Sequence, residues 1–148
     1  MAKINPYLYF LGNAEEAFNF YKLVFGGEFA MLQRFGEMPG CEEMNLSDAD
    51  KEKLMHVALP IGDGNVLMAT DAVGEHAEDA VIGTNISLSL SAESKEEADK
   101  NFNGLSSGGT VTMPIGDTFW GAYFGMCKDK FGIQWMVNYD YPNNQEEK

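Results

Sequence analysis

Basic residues are scarce in this sequence. Arg34 is the one arginine, and Lys and Arg together number 10 against 23 Asp and Glu, for a formal net charge of -13. Phosphate backbones are held by clusters of Arg and Lys, so the composition argues against a nucleic-acid partner. Cysteine is equally sparse. Cys41 and Cys127 have neither disulfide-framework nor metal-ligand spacing, and they read as free thiols in a reducing compartment. No long apolar run occurs in the opening MAKINPYLYFLG, so neither an export signal nor a membrane span is expected, and the chain is expected in the cytoplasm. Also lacking is a glycine-rich turn leading from a strand into a helix, the device that cradles nucleotide-like cofactors.

What the sequence does have is one pattern used twice. In Asn13–Phe29, NAEEAFNFYKLVFGGEF, Asn13 is an N-cap candidate with Glu16 as its reciprocal partner. Ala17, Tyr21 and Val24 fall on one helical face, and Gly26-Gly27 supplies the positive φ of a helix exit. In Ser94–Val111, SKEEADKNFNGLSSGGTV, the same roles fall to Ser94, Glu97, Ala98, Phe102, Leu105 and Gly108-Gly109. The shared offset is about 81 residues, with the second glycine pair one further along, which predicts two copies of one supersecondary unit.

Around these helices the pattern predicts strands at Ile4–Phe10, Glu28–Phe35, Leu54–Ile61 and Val66–Thr70. In the third of these, Val57 and Leu59 face one side while His56 and Ala58 face the other. The acidic stretch Gly36–Lys53 reads as a loop, long enough to be a lid over a site. Gly62-Asp63-Gly64-Asn65 reads as a hairpin turn, and Asp71–Ile82 as a polar connector. The second half has strands at Asn85–Ser91, Thr110–Pro114, Phe119–Cys127 and Ile133–Tyr139, then a frayed polar tail, Tyr141–Lys148. In Asn85–Ser91 the alternation points Ile86, Leu88 and Leu90 at a core and the serines away from it. The reading is a single domain of two modules, residues 1–72 and 83–140, each strand, helix and three strands.

That order, together with Phe20-Tyr21…Phe25-Gly26-Gly27, Met55-His56-Val57, Asp117, Phe119-Trp120-Gly121 and Asp129…Phe131-Gly132…Trp135, resembles the vicinal oxygen chelate superfamily, the glyoxalase, bleomycin-resistance and dioxygenase group. The nearer likeness is to its PhnB-like branch, often labelled 3-demethylubiquinone methyltransferase-like. The resemblance implies an α+β fold in which two βαβββ modules form a cupped, incomplete barrel with the helices outside. It also implies a homodimer and a small-molecule ligand in the cup.

Metal-using members of that group place four His, Gln or Glu donors on strands lining the cup. Carried onto this chain, the positions fall near Asn5 or Pro6, at Met68, at Asn85 and at Met136. Thioethers and neutral amides are poor ligands for hard divalent ions, so no metal and no other cofactor is expected. A divalent metal would need His56, Asp71 and Gln134 as unconventional donors. The resemblance therefore points to a binder whose cup is lined by Tyr9, His56, Asn85, Ser87, Trp120 and Gln134. The alternative is a metal-dependent or His56-based lyase, isomerase or dioxygenase, with His56 as general base. His56 also has an ordinary role open to it, as a hydrogen-bonded structural histidine, and His76 reads as a surface residue. Trp120 and Trp135 could stack on a flat ligand or pack in a core. Cys127 reads as a small buried hydrophobe, and Asp71 and Asp117 as turn-capping residues or partners of His56.

Overall fold

The computed structural model describes residues 2–62 and 64–142. Contacts divide the chain at the Val81–Ile82 junction into two units. The first holds β1 (Tyr7–Phe10), α1 (Ala14–Phe25), β2 (Met31–Arg34), β3 (Leu54–Ile61) and β4 (Asn65–Asp71), with two short helices, α2 (Asp48–Lys51) and α3 (Glu75–Asp79). Its sheet has the order β1-β4-β3-β2, β1 parallel to β4 and the other pairs antiparallel. The second unit holds β5 (Leu88–Ser91), α4 (Lys95–Ser106), β6 (Thr110–Asp117), β7 (Ala122–Lys128) and β8 (Gln134–Asp140). Its sheet, β5-β8-β7-β6, repeats the same order and the same directions. The fold is α+β, two βαβββ modules.

The helices carry the repeat most clearly. Both are 12 residues long. Ala17, Tyr21 and Val24 of α1 are buried, and so are Ala98, Phe102 and Leu105 of α4, the residues one offset away. In the first unit this face meets Val57, Leu59, Leu67 and Ala69 of the sheet, all buried. Burial of each large apolar side chain is worth about 1.5–3 kcal/mol, and this seam is the main source of the unit's stability. Arg34 adds a second tie. Its guanidinium grips Glu15 of α1 through two bonds of 2.9 and 2.8 Å and donates a third to the Glu52 carbonyl at 2.8 Å.

The two helix starts differ. Ser94 caps α4 as expected, its hydroxyl accepting from the Glu97 N–H at 3.0 Å. Asn13 makes no side-chain cap bond. Its place is taken by Asp71, at the end of β4, whose Oδ1 accepts from the Ala14 and Gly12 N–H groups at 2.9 and 3.1 Å. Oδ2 accepts from the Leu54 N–H at 2.9 Å. Three backbone donors fill this buried carboxylate, and it caps the helix rather than orienting His56.

Other boundaries move for local reasons. β1 begins at Tyr7 rather than Ile4, with the Pro6 carbonyl accepting from Met68 N–H at 3.1 Å. β2 begins only at Met31, after two glycines at φ 80 and 84. β5 begins at Leu88, not Asn85, and Ile86 is exposed instead of facing a core. The strand expected from Phe119 starts at Ala122, because Thr118 closes a turn on Ala122 through both its backbone and its hydroxyl. The stretch 36–53 is no featureless loop. It holds 3-10 turns at Phe35–Glu37 and Cys41–Met44 and the helix α2, pinned by buried Phe35 and Cys41. Within the expected turn at 62–65, Asp63 lies outside the described residues, as do 143–148 of the expected tail. No helix among the described residues is long and apolar enough to cross a membrane.

Candidate functional site

Strand alternation decides what each sheet shows on the side away from its helix. In β1, Leu8 and Phe10 turn toward α1, which leaves Tyr7 and Tyr9 on the opposite face. The register sets Tyr7 beside Met68 of β4, Met68 beside Ala58 of β3, and Ala58 beside Met31 of β2. His56, two residues before Ala58, stands opposite Gln33. One face thus collects two phenols, an imidazole, an amide, the Thr70 hydroxyl and thioethers.

Within that face three rings form a cluster. The Tyr7 hydroxyl lies 3.2 Å from His56 Nδ1. Its ring centroid is 5.7 Å from that of His56 and 5.7 Å from that of Tyr9. To make this contact the Tyr7 side chain reaches over β4, which separates β1 from β3. Tyr7 is 41% exposed and Tyr9 65%, so the rings are accessible while His56 is half-buried. Burial first, and then the charge of Tyr9, raises the Tyr7 pKa, which keeps its hydroxyl protonated at neutral pH. Tyr7 was not among the residues singled out from sequence. The signal was present, since Tyr7 and Tyr9 share a strand parity.

The other expected site residues belong to the second unit. Asn85 is exposed and Ser87 half-buried, both ahead of β5. Gln134 sits beside them, its Nε2 donating to the Ile86 carbonyl at 2.7 Å. Trp120 does not join this group. It is 51% exposed in the turn before β7, with centroid distances of 5.0 Å to Phe119 and 6.0 Å to Phe124. Gln134 pairs with Lys128 at the far end of β7, so the length of that strand separates the two.

The remaining candidates take structural places. Trp135 is buried and donates from Nε1 to Asp129 at 2.9 Å, so it packs and does not stack on a ligand. The second carboxylate oxygen of Asp129 accepts from the Phe131 and Ile133 N–H groups. Asp117 accepts from the Tyr141 hydroxyl. His76 is exposed in α3. Cys41 and Cys127 are free and buried, and burial, followed by the charge of Asp129, pushes the Cys127 thiol up to about 11.

The donor set does not fit a hard divalent ion. Asn5 spends its side-chain oxygen on the Val66 N–H at 3.1 Å. Met68 stands in the row Tyr7–Met68–Ala58–Met31, and Met136 in a second row, Ser89–Met136–Met126–Met113. The neighbours in these rows are other thioethers, Ala58, the Tyr7 phenol and the Ser89 hydroxyl, which make no set of carboxylate or imidazole donors. Among the described residues, no three His, Cys, Asp or Glu side chains gather as a metal site would require.

Known proteins of the same design exist. Protein PA1353 from Pseudomonas aeruginosa is 40% identical, with a TM-score of 0.79 over 95% of this chain and 98% of that one. The PhnB protein from Bacillus cereus is 27% identical, with a TM-score of 0.72 over 93% and 99%. Protein YjdN of Escherichia coli K12 is 29% identical over 141 residues, 91% of this chain and 93% of its own. Residues 3–137 match the family model described as Glyoxalase/Bleomycin resistance protein/Dioxygenase superfamily, and the chain belongs to that superfamily.

Proposed function

We propose that this protein binds a small organic molecule on the open face of its first sheet, without the divalent metal that other members of the superfamily use. The observation that carries this reading is the Tyr7–His56 hydrogen bond beside the exposed ring of Tyr9. Accessible aromatic surface with a few fixed polar groups is what a small-molecule site needs. The methionine and asparagine side chains at the expected ligand positions support the metal-free half of the proposal.

A His-based lyase or isomerase is the second reading, and it rests on the same accessible imidazole. It requires the tautomer in which Nδ1–H donates to the Tyr7 oxygen and leaves Nε2 free to take a proton as a general base. The two readings differ in whether a bound compound is changed.

The test is thermal melting of the chelator-stripped protein with Mn, Fe, Ni, Co and Zn, and separately with a panel of small aromatic compounds. A ligand at about 100 times its Kd adds roughly 2.7 kcal/mol if it binds only the folded state. The expected result is no metal shift, and a shift from an organic compound that Tyr9→Ala and His56→Ala both remove. Stoichiometric metal by elemental analysis, with a large shift lost in His56→Ala, would overturn the proposal in favour of a metal-dependent enzyme. Turnover of a bound compound would favour the second reading.

A further inference from the structure

We infer that Tyr7 is a positioning residue that fixes His56 as the Nε2–H tautomer, so that the site presents a hydrogen-bond donor and selects an uncharged ligand with a carbonyl or amide oxygen. The inference rests on the proposed binding face and names the ligand class for it. The 3.2 Å contact from the Tyr7 hydroxyl is to Nδ1 of His56. A neutral imidazole has one donor and one acceptor nitrogen, and the bond made by one fixes the role of the other. A phenol shares its oxygen lone pair with the ring, so it accepts poorly and donates well. The imidazole lone pair lies in the ring plane and accepts well. Tyr7 therefore donates to Nδ1, and the proton of His56 belongs on Nε2. The raised pKa of Tyr7 keeps that donor in place across the neutral range.

A fixed Nε2–H changes what the site can do. In this tautomer His56 cannot remove a proton from a ligand until it has given up its own, so the geometry favours recognition over base catalysis. Its natural partner is an acceptor oxygen. The net charge of -13 opposes an anion near this surface, which leaves neutral carbonyl and amide compounds. Tyr7 and Tyr9 supply ring faces and edges for an aromatic body attached to that oxygen.

Two-bond proton–nitrogen correlation spectra of the full chain, labelled with 15N-histidine, read the tautomer directly. The chain has two histidines, so His76→Asn assigns the signals. At a pH where His56 is neutral, the expected pattern is Nδ1 unprotonated and Nε2 protonated. Tyr7→Phe, a mild change at a partly exposed ring, should give a mixture of tautomers. Benzamide is the probe for the acceptor class and benzylammonium the control. Benzamide should shift the Nε2–H signal, and His56→Ala, which removes the donor itself, should weaken its binding about three- to tenfold, the worth of one hydrogen bond. His56→Gln, which keeps an N–H donor, should retain more binding than His56→Ala. A protonated Nδ1 in the wild type overturns the inference. If the tautomer is as expected but benzylammonium alone perturbs His56, the ligand class is overturned while the binding face stands. If neither probe perturbs His56, the binding reading fails and the ligand class falls with it.

Discussion

Asp71 is the buried polar tie of the first unit. Its carboxylate accepts from Gly12, Ala14 and Leu54, joining the start of α1 to the start of β3. Asp71→Asn keeps the shape but turns one oxygen into an N–H₂ that faces a backbone donor. Charged hydrogen bonds are worth about 1.5–3 kcal/mol, and a buried unpaired donor costs about 1–3. The expected loss is about 2–4 kcal/mol in urea unfolding, against about 1 kcal/mol for Ser94→Ala at the matching helix start. Tyr123 offers a pH-dependent counterpart. Its hydrogen bond to Asp99, then burial, then the charges of Asp99 and Asp117, push its hydroxyl up to about 12. The folded state thus holds this proton more tightly than the unfolded chain, whose tyrosine ionises near 10. The stabilisation is complete below pH 10 and fades as pH rises toward 12. Melting temperature should therefore fall more steeply above pH 10 in the wild type than in Tyr123→Phe. Such partners were hidden in the sequence, where Asp71 is 57 residues from the helix start it caps, and only Ser94, bonded three residues on, was readable locally.

The duplicated helix was legible because its signals are local: cap, apolar spacing and glycine exit all lie within 18 residues of sequence. The strands were legible in parity but not in length. Parity follows from alternation alone, and it placed His56 and Ala58 on the face they occupy. Ends depend on partners, as with β5, which starts where Leu88 meets Trp135 of β8. The glycine pairs illustrate the same limit. Gly26, Gly27 and Gly108 have positive φ, as an exit requires. Gly109 does not. A Cβ there would stand 2.2 Å from the Lys128 carbonyl oxygen, so the residue is glycine because β6 begins pressed against the end of β7. Gly109→Ala must push backbone apart and is expected to cost about 2–4 kcal/mol, at the upper end of overpacking effects. Gly26→Ala meets nothing within 4 Å and suffers only its backbone conformation, φ 80 and ψ -169, a region open essentially to glycine alone, for an expected cost of about 1–3 kcal/mol. Urea midpoints of the two variants would separate close approach from backbone conformation.

The charge of the whole chain acts on stability and recognition at once. Against the net charge of -13, the attractive side shows three ion pairs among the described residues, Lys22–Glu28, Arg34–Glu15 and Lys53–Asp50. Partly exposed pairs are worth about 0–1 kcal/mol each, too little to offset the repulsion among the excess carboxylates. Salt screens both, and the Debye length falls from about 30 Å at 0.01 M to about 3 Å at 1 M. Repulsion acts over longer distances and is screened first, so the melting temperature should rise between 0.01 and 0.5 M NaCl. The same titration separates recognition from mere attraction. A cationic aromatic compound drawn by the field should lose affinity severalfold over that range. An uncharged amide held by the His56 Nε2–H and the tyrosine rings should bind with nearly unchanged affinity, because neither a neutral hydrogen bond nor ring contact is screened by ions. Equal salt dependence for both would mean that the surface charge, and not the Tyr7–His56 pair, selects what this protein binds.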